Sequence, residues 1–169
     1  INNIRSLNIF SKVEYKLETI EENKKILNIN VEEKPTGEIF ASAGTGTTGT
    51  TFGGGVKENN FLGKGVKLST GLRISETRLR GNFTVVNPNF NYSDKALSTD
   101  IFLTDTDKLN DSGYKSTNAG FSLGTGFEQY NDFFFRPTFR TTYEELTTNS
   151  SASANLKKQQ GSYFTTDIG

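Results

Sequence analysis

The sequence feature that most limits the fold is a strict alternation of side-chain character over residues 66–75. One set of alternate positions holds Val66, Leu68, Thr70, Leu72 and Ile74, and the other holds Lys67, Ser69, Gly71, Arg73 and Ser75. The next run repeats the pattern, with Leu79, Gly81, Phe83 and Val85 alternating with Arg78, Arg80, Asn82 and Thr84. Because successive side chains of a strand project to opposite faces, this period of two predicts β-strands.

Similar runs continue through most of the chain after Gly37. They include Leu97, Thr99, Ile101 and Leu103, then Ala119, Phe121, Leu123, Thr125 and Phe127, and then Phe133, Phe135, Pro137 and Phe139. We predict seven such runs between Ile39 and Tyr143 and an eighth that begins at Ser162. The expected fold is therefore mainly β, with consecutive antiparallel strands.

The polar face of these strands distinguishes two β architectures. The positions opposite the Leu and Phe residues carry Arg73, Arg78, Arg80, Asp100, Arg136 and Arg140. A water-filled barrel lumen accommodates such charges, whereas the second face of a dry sandwich does not. On a lipid-facing surface each charge would cost about 2–4 kcal/mol at mid-bilayer. The pattern therefore favours a transmembrane β-barrel over a soluble β-sandwich.

Composition excludes several classes of function. Lys plus Arg and Asp plus Glu both number 19, so the net charge of zero gives no electrostatic basis for nucleic-acid binding. Cys and His are absent, which excludes disulfides, thiol chemistry and His-based acid–base or metal sites within this chain. We expect no catalytic site, no cofactor and no bound metal. No apolar run approaches the roughly 20 residues of a transmembrane helix, but a barrel strand needs only about 9–11 alternating residues.

The connections between runs indicate which ends share a compartment. Those at 59–65, 87–94 and 128–132 are short and flanked by aromatic residues, namely Phe61, Phe90, Tyr92 and Tyr130. Those at 105–113 and 144–161 are longer and polar. Short turns at one end and long loops at the other are typical of outer-membrane barrels, in which aromatic residues line the membrane interfaces.

Residues 1–36 differ from the rest of the chain. Ile1, Ile4 and Leu7 have helical spacing, so residues 1–8 are predicted to form a short helix that ends at Asn8. Two strand-like runs follow, at 13–20 and 25–33, separated by a polar hairpin loop at 21–24. The Pro-Thr-Gly sequence at 35–37 then predicts a domain boundary.

Two motifs resemble a small-molecule site and a metal site, but the residues around them do not fit either site. Residues 44–49 match the dinucleotide-binding pattern G-x-G-x-x-G, yet the following Thr-Thr-Phe-Gly-Gly-Gly segment is a poor helix former. A Gly/Thr hairpin between two strands is favoured. Asp105, Asp107 and Asp111 lack the turn Gly and terminal Glu of a calcium loop, so a solvated acidic loop is favoured there.

The first strand after the boundary, residues 38–47, has an unusual composition. It holds small residues and glycines where neighbouring strands have Leu and Phe, and it reads Glu38, Ile39, Phe40, Ala41, Ser42, Ala43, Gly44, Thr45, Gly46 and Thr47. Glycine weakens a strand because it packs no side chain. One interpretation is close backbone approach, or room for a plug inside the barrel. The other is a weak seam in the barrel wall.

Four segments, in matching order and spacing, resemble the BamA family of outer-membrane-protein assembly factors. Residues 7–13 resemble the helix-to-strand passage of a POTRA domain, with Asn8 in place of the usual Gly, and residues 31–37 resemble the exit from the last POTRA domain. Residues 58–65 and 86–90 resemble the first two periplasmic turns of the barrel. The turn residues that carry this resemblance are Asn60, Phe61, Gly63, Gly65, Asn87, Pro88 and Phe90.

The resemblance implies an organisation for the whole chain. Residues 1–36 would be the C-terminal part of a POTRA domain in the periplasm, with α/β topology. Residues 37–169 would form the first seven to eight strands of a sixteen-stranded barrel in the bacterial outer membrane. Since the chain starts at Ile1 and ends at Gly169 without a closing signal, we expect a segment of a longer protein.

The resemblance also implies a function. The seam strand at 38–47 would pair with nascent outer-membrane β-barrel proteins and template their insertion, without covalent catalysis. Accessory periplasmic lipoproteins and outer-membrane lipid would be the other partners. A related POTRA-barrel protein that secretes its substrate, such as a TamA-like or two-partner transporter, is one alternative. A passive porin or a secreted β-sandwich binding module is another.

Overall fold

The computed structural model describes residues 2–21, 24–46 and 49–169. Its strands are β1 (Phe10–Glu21), β2 (Lys24–Glu33), β3 (Gly37–Gly46), β4 (Gly49–Phe61), β5 (Val66–Ser75), β6 (Arg78–Asn87), β7 (Ala96–Lys108), β8 (Tyr114–Tyr130), β9 (Phe133–Phe135), β10 (Thr138–Thr148) and β11 (Gly161–Ile168). Its helices are α1 (Asn2–Ser6), α2 (Leu109–Ser112) and α3 (Ala154–Lys158), with a 3-10 turn at Phe90–Tyr92. Within the described residues, no helix is long and apolar enough to cross a membrane.

The N-terminal unit consists of α1 and a hairpin formed by β1 and β2. The two strands are antiparallel, and Leu17 lies opposite Leu27. Asn8, just beyond α1, has a φ of 56°, the left-handed conformation expected of a residue that terminates a helix. The order of helix, strand and strand is the predicted one. Glu22 and Asn23 of the predicted hairpin loop lie outside the described residues, and the assignment of this unit to a POTRA domain remains a prediction.

The rest of the chain forms one antiparallel sheet. Its strand order is β11-β10-β8-β7-β6-β5-β4-β3, and the short strand β9 pairs with β8 beside this path. The seven predicted runs and the eighth beginning at Ser162 correspond to β3 to β8, β10 and β11. Since neighbours in the sheet follow one another along the chain, β3 lies at one edge and β11 at the other.

The strand register keeps the two predicted faces separate across the sheet. Arg73 lies opposite Arg80, and Thr84 lies opposite Asp100, whereas Phe83 lies opposite Ile101. We call the apolar side the outer face and the charged side the inner face. The outer face carries Leu68, Leu72, Ile74, Leu79, Phe83, Ile101, Leu103, Phe121, Leu123 and Phe139, and the inner face carries Arg73, Arg80, Asp100, Phe102, Ser122 and Arg140.

No second layer covers the apolar outer face within the described part of the chain. Ile74 and Ile101 are 48% and 53% exposed, and Ala152 is the single buried hydrophobic residue among those the structure describes. A β-sandwich would bury such a face against a second sheet about 10 Å away. A single sheet with one apolar and one charged side is instead the arrangement of an outer-membrane barrel wall.

The predicted loop at 105–113 is wrong in its extent. β7 continues to Lys108 and β8 starts at Tyr114, so Asp105 belongs to a strand. Asp105 Oδ1 accepts a hydrogen bond of 3.0 Å from Thr117 Oγ1, and Asp105 Oδ2 lies 3.5 Å from Lys115 Nζ. These cross-strand contacts between polar residues extend the hairpin beyond the alternating pattern.

The predicted contrast between short turns and long loops is also only partly correct. Glu76 and Thr77 alone join β5 to β6, at the same end of the sheet as the longer connection 149–160. The end with long loops therefore also carries a tight turn.

One predicted strand is divided in two by a proline. Residues 133–139 form β9 and the start of β10 rather than one run, and the break falls at Arg136 and Pro137. Proline has no backbone N–H and cannot donate in a ladder. The carbonyl of Pro137 still accepts a bond of 3.1 Å from the N–H of Thr125, so β10 resumes pairing with β8 immediately afterwards.

Two inner-face phenylalanines lie over the glycines directly opposite them. A Cβ atom added to Gly55 would lie 2.6 Å from Phe40 Cζ, and one added to Gly120 would lie 2.8 Å from Phe102 Cζ. Phe40 and Gly55 are paired in the register of β3 and β4, as Phe102 and Gly120 are in that of β7 and β8. The glycines thus create the space that the aromatic rings fill, an established way of stabilising glycine in a sheet.

The packing around Gly55 yields a testable prediction. Gly55→Ala should lower the free energy of unfolding by about 1–3 kcal/mol, because the new methyl group would also lie 2.2 Å from the carbonyl oxygen of Thr70. Gly81→Ala is the matched control, since its Cβ would make an ordinary contact of 3.7 Å with Leu72. Thermal unfolding of the full-length protein in detergent measures both. Equal midpoints for the two variants would contradict this packing.

Candidate strand-pairing site

The predicted seam strand lies at an edge of the sheet. β3 pairs with β4 over its whole length, from Gly37 opposite Glu58 to Gly46 opposite Gly49. Among the described residues no strand lies on its other side. Half of the backbone N–H and C=O groups of β3 therefore face outward in the plane of the sheet, because successive residues of an antiparallel strand point these groups to opposite sides.

Nine of the ten predicted seam residues lie together in β3. These are Glu38, Ile39, Phe40, Ala41, Ser42, Ala43, Gly44, Thr45 and Gly46. The tenth, Thr47, lies outside the described residues.

The outer side of β3 is poor in large side chains. The register aligns Ile39, Ala41 and Ala43 with outer-face residues of β4. Ile39 is 87% exposed. Since the other two are alanines, β3 presents less apolar surface on the outer face than β5 or β7 does.

On the inner face, Phe40 attaches β3 to the interior of the sheet. Its ring covers Gly55 on β4 and reaches towards Gly71 on β5, where an added Cβ would lie 3.8 Å from Phe40 Cζ. Lys57 Nζ lies 5.5 Å from the centre of the same ring. The strand is therefore held firmly on the β4 side, while its other side has no partner among the described residues.

A hydrogen-bonded junction connects the segment before β3 to the end of β4. The Glu58 carboxylate accepts bonds from the Thr36 hydroxyl and, at 2.7 Å, from the N–H of Asn60. The backbone N–H of Asn59 donates to the Thr36 carbonyl at 3.3 Å. These contacts fix the point at which the chain leaves the N-terminal unit and enters the sheet.

The first turn motif forms a closed loop between β4 and β5. The amide N–H of Gly65 donates to Asn60 Oδ1 at 2.7 Å, and that of Gly63 donates to the Asn60 carbonyl at 2.9 Å. Gly63 and Gly65 have φ angles of 69° and 66°, which glycine adopts without strain. Phe61, the last residue of β4, is 42% exposed.

The second turn motif lies between β6 and β7. The Asn89 N–H donates to Asn87 Oδ1 at 3.1 Å, and the Phe90 N–H donates to the Lys95 carbonyl at 2.8 Å. Pro88 lies between Asn87 and Asn89, inside the first of these two bonds. Both turn motifs are at the same end of the sheet, but they occupy separate connections and do not join β3 in one site.

Sequence reasoning missed the junction at Thr36 and Glu58. The resemblance marked Glu58 only as part of a turn motif, and nothing pointed to its pairing with Thr36 across the strand boundary. The alternation of side chains could have indicated it, because this alternation places the acidic residue Glu58 on the outer face of β4. A charge at such a position is expected only near the membrane boundary.

Comparisons with known proteins agree with this architecture. The model of the Omp85 superfamily domain matches residues 60–169. The crystal structure of BamA from Haemophilus ducreyi lacking POTRA domains 1–3 superimposes with a TM-score of 0.74 at 19% sequence identity. The match covers 99% of this chain and 35% of that chain, so this chain spans about a third of its length. No curated protein matches the sequence.

The junction generates a second prediction. Glu58→Ala should accelerate hydrogen exchange at the amides of Asn60 and of Lys34, Thr36 and Gly37, because it removes the acceptor shared by Thr36 and Asn60. Glu33→Ala, at the end of β2, is the control. Residue-resolved hydrogen exchange on the full-length protein measures both variants. Unchanged exchange at Asn60 in the Glu58 variant would show that the junction does not hold the turn.

Proposed function

The chain belongs to the Omp85 superfamily, and we propose that it is part of an outer-membrane-protein assembly factor of the BamA type. Residues 37–169 would contribute the first strands of its barrel in the bacterial outer membrane, and residues 1–36 the end of a periplasmic POTRA domain. The likeness of the fold to BamA over nearly the whole chain supports this placement.

The observation that carries the proposal is the edge position of β3 in the described sheet, together with its small-residue composition. Unpaired backbone groups at a sheet edge form a template for another strand. In the proposed mechanism, the terminal strand of a nascent barrel protein aligns with residues 38–47 and completes the ladder. Because lipid offers no hydrogen bonds, an incoming strand gains several kcal/mol for each backbone group that finds a partner there.

In this mechanism, backbone N–H and C=O groups bind the client strand, and no catalytic residue is needed. Ala41, Ala43 and Thr45 contribute little side-chain bulk at the edge, so strands of varied sequence can approach. Phe40 holds β3 against β4 while the free side is engaged. The proposed activity is accordingly non-enzymatic and needs no cofactor.

Further partners follow from the same proposal. The exposed apolar outer face supports contact with outer-membrane lipid. Accessory periplasmic lipoproteins are proposed from the resemblance alone, and they would bind on the side of the N-terminal unit.

Disulfide capture tests strand pairing directly. The substitution Ser42→Cys is made in the full-length protein, in a background without other cysteines, and a stalled client barrel carries one cysteine in its terminal strand. We expect a cross-linked product, because Ser42 lies at the middle of the free edge. The control is Ser69→Cys, on the same inner face but in β5, which has neighbours on both sides. Equal capture at both positions would contradict edge pairing.

Absence of capture by the Ser42→Cys protein would also be informative. If the protein is folded in the membrane and the client is bound, such a result would favour a secretion protein of the same superfamily or a passive pore.

Proline substitution distinguishes the two sides of β3. Ser42→Pro and Ala43→Pro each remove one backbone donor, and the two donors point to opposite sides of the strand. We expect one variant to lose client assembly while it keeps the β3–β4 ladder, and the other to lose the ladder itself. Client assembly in proteoliposomes and residue-resolved hydrogen exchange measure the two effects. Normal assembly by both variants would contradict the templating mechanism.

A further inference from the structure

An open cleft of about 400 Å³ lies on the inner face beside β3. Its positive side is formed by three arginines, Arg73 on β5 and Arg78 and Arg80 on β6. Its other side is formed by the inner-face residues Ser42, Gly44 and Gly46 of the edge strand. We call this space the arginine cleft. It connects a cluster of positive charge to the edge at which a client strand is proposed to pair.

The charge in the arginine cleft is not neutralised within the described residues. Arg73 and Arg80 face each other directly in the register, an arrangement in which like charges repel. None of the three arginines forms a salt bridge in the described part of the chain. Arg78 Nε is buried and has no hydrogen-bond partner among the same residues. The cluster therefore has the properties of a site for an anionic group.

The acidic residues on the inner face of β7 and in the turn between β5 and β6 are engaged elsewhere. Asp100, on the same inner face, accepts bonds from the Thr84 hydroxyl at 2.7 Å and the Ser122 hydroxyl at 3.3 Å. Glu76, in the turn between β5 and β6, directs its carboxylate to Gly49, where an added Cβ would lie 2.6 Å from Glu76 Cδ. Neither carboxylate balances the charge of the arginines.

Glycines leave a path from the arginines to the edge. A Cβ atom on Gly53 of β4 would lie 3.6 Å from Arg73 Nε and 2.8 Å from Ser42 Oγ, so the Arg73 side chain extends over this glycine towards β3. Gly44 and Gly46 have open space where their side chains would be. With strands about 4.8 Å apart, a client strand beside β3 would lie about 14 Å from the backbone of β5. An extended arginine and a carboxylate side chain together cover most of that distance.

We propose that the arginine cleft binds an acidic side chain on the lumen-facing side of the client strand, level with Ser42 to Gly46. This inference rests on the proposed function and adds a side-chain requirement to backbone pairing. A shift of one residue would turn the acidic side chain of the client to the lipid face, and a shift of two residues would move it about 7 Å along the strand, away from the arginines. The cleft thus selects the register of the incoming strand.

A charge exchange tests this inference. In the Ser42→Cys protein, Arg73→Glu with Arg80→Glu should lower disulfide capture of an acidic client by about threefold to tenfold, and a client with Lys in place of the acidic residue should restore it. Lys67→Glu is the control, on the inner face of the same strand but about 20 Å from Arg73. The neutral pair Arg73→Gln and Arg80→Gln should give an intermediate loss. Because this pair removes like-charge repulsion, it should not impair folding.

The outcomes separate this inference from the function on which it rests. Failure of capture in the protein with its arginines intact would contradict the proposed function itself. Normal capture that does not respond to the arginine substitutions, or that the Lys-bearing client fails to restore, would overturn the role of the cleft alone. A loss that appears only in nanodiscs rich in anionic phospholipid would assign the cleft to lipid phosphate and would also overturn it.

Discussion

The structure depends on the requirement that every backbone N–H and C=O group within a bilayer has a hydrogen-bond partner in the protein. Continuous antiparallel pairing from β3 to β11 satisfies this requirement across the sheet. A sheet paired in this way also restricts which residue types each face can carry. Each strand must present apolar residues to lipid on one face and can carry charges only on the other. Within the described residues the requirement is unmet along the outer sides of β3 and β11. Of these two edges, β3 is the one that we propose pairs with a client strand, because its small residues and glycines form the weaker strand.

Side chains around this edge have complementary roles. Phe40 packs over Gly55 and holds β3 to the sheet, and the junction of Thr36 with Glu58 fixes where the strand begins. Gly53 leaves space through which Arg73 extends towards the edge. The glycines that weaken β3 and β4 in isolation thus have two separate uses here. Gly55 accommodates the Phe40 ring, which stabilises the sheet, and Gly53 leaves room for the Arg73 side chain.

Period-two alternation was sufficient to predict the main strands and their two faces, because burial in lipid on one side imposes that period. It could not predict the end of β7, where cross-strand contacts of Asp105 with Thr117 and Lys115 extend the ladder beyond the apolar pattern. The break at Pro137 could have been predicted from the sequence, because proline has no backbone N–H to donate in the ladder. The edge position of β3 came from a family resemblance, and the arginine cleft required the register of β5 with β6, which alternation alone does not determine.

The most direct test of the central claim is residue-resolved hydrogen exchange along β3 in the full-length protein in a lipid bilayer, with and without a stalled client. If β3 is a templating edge, amides at alternate positions between Glu38 and Gly46 should exchange quickly in the free protein and become protected when the client binds. The intervening amides, which pair with β4, should stay protected in both states. Uniform protection of β3 that does not change on client binding would contradict the account.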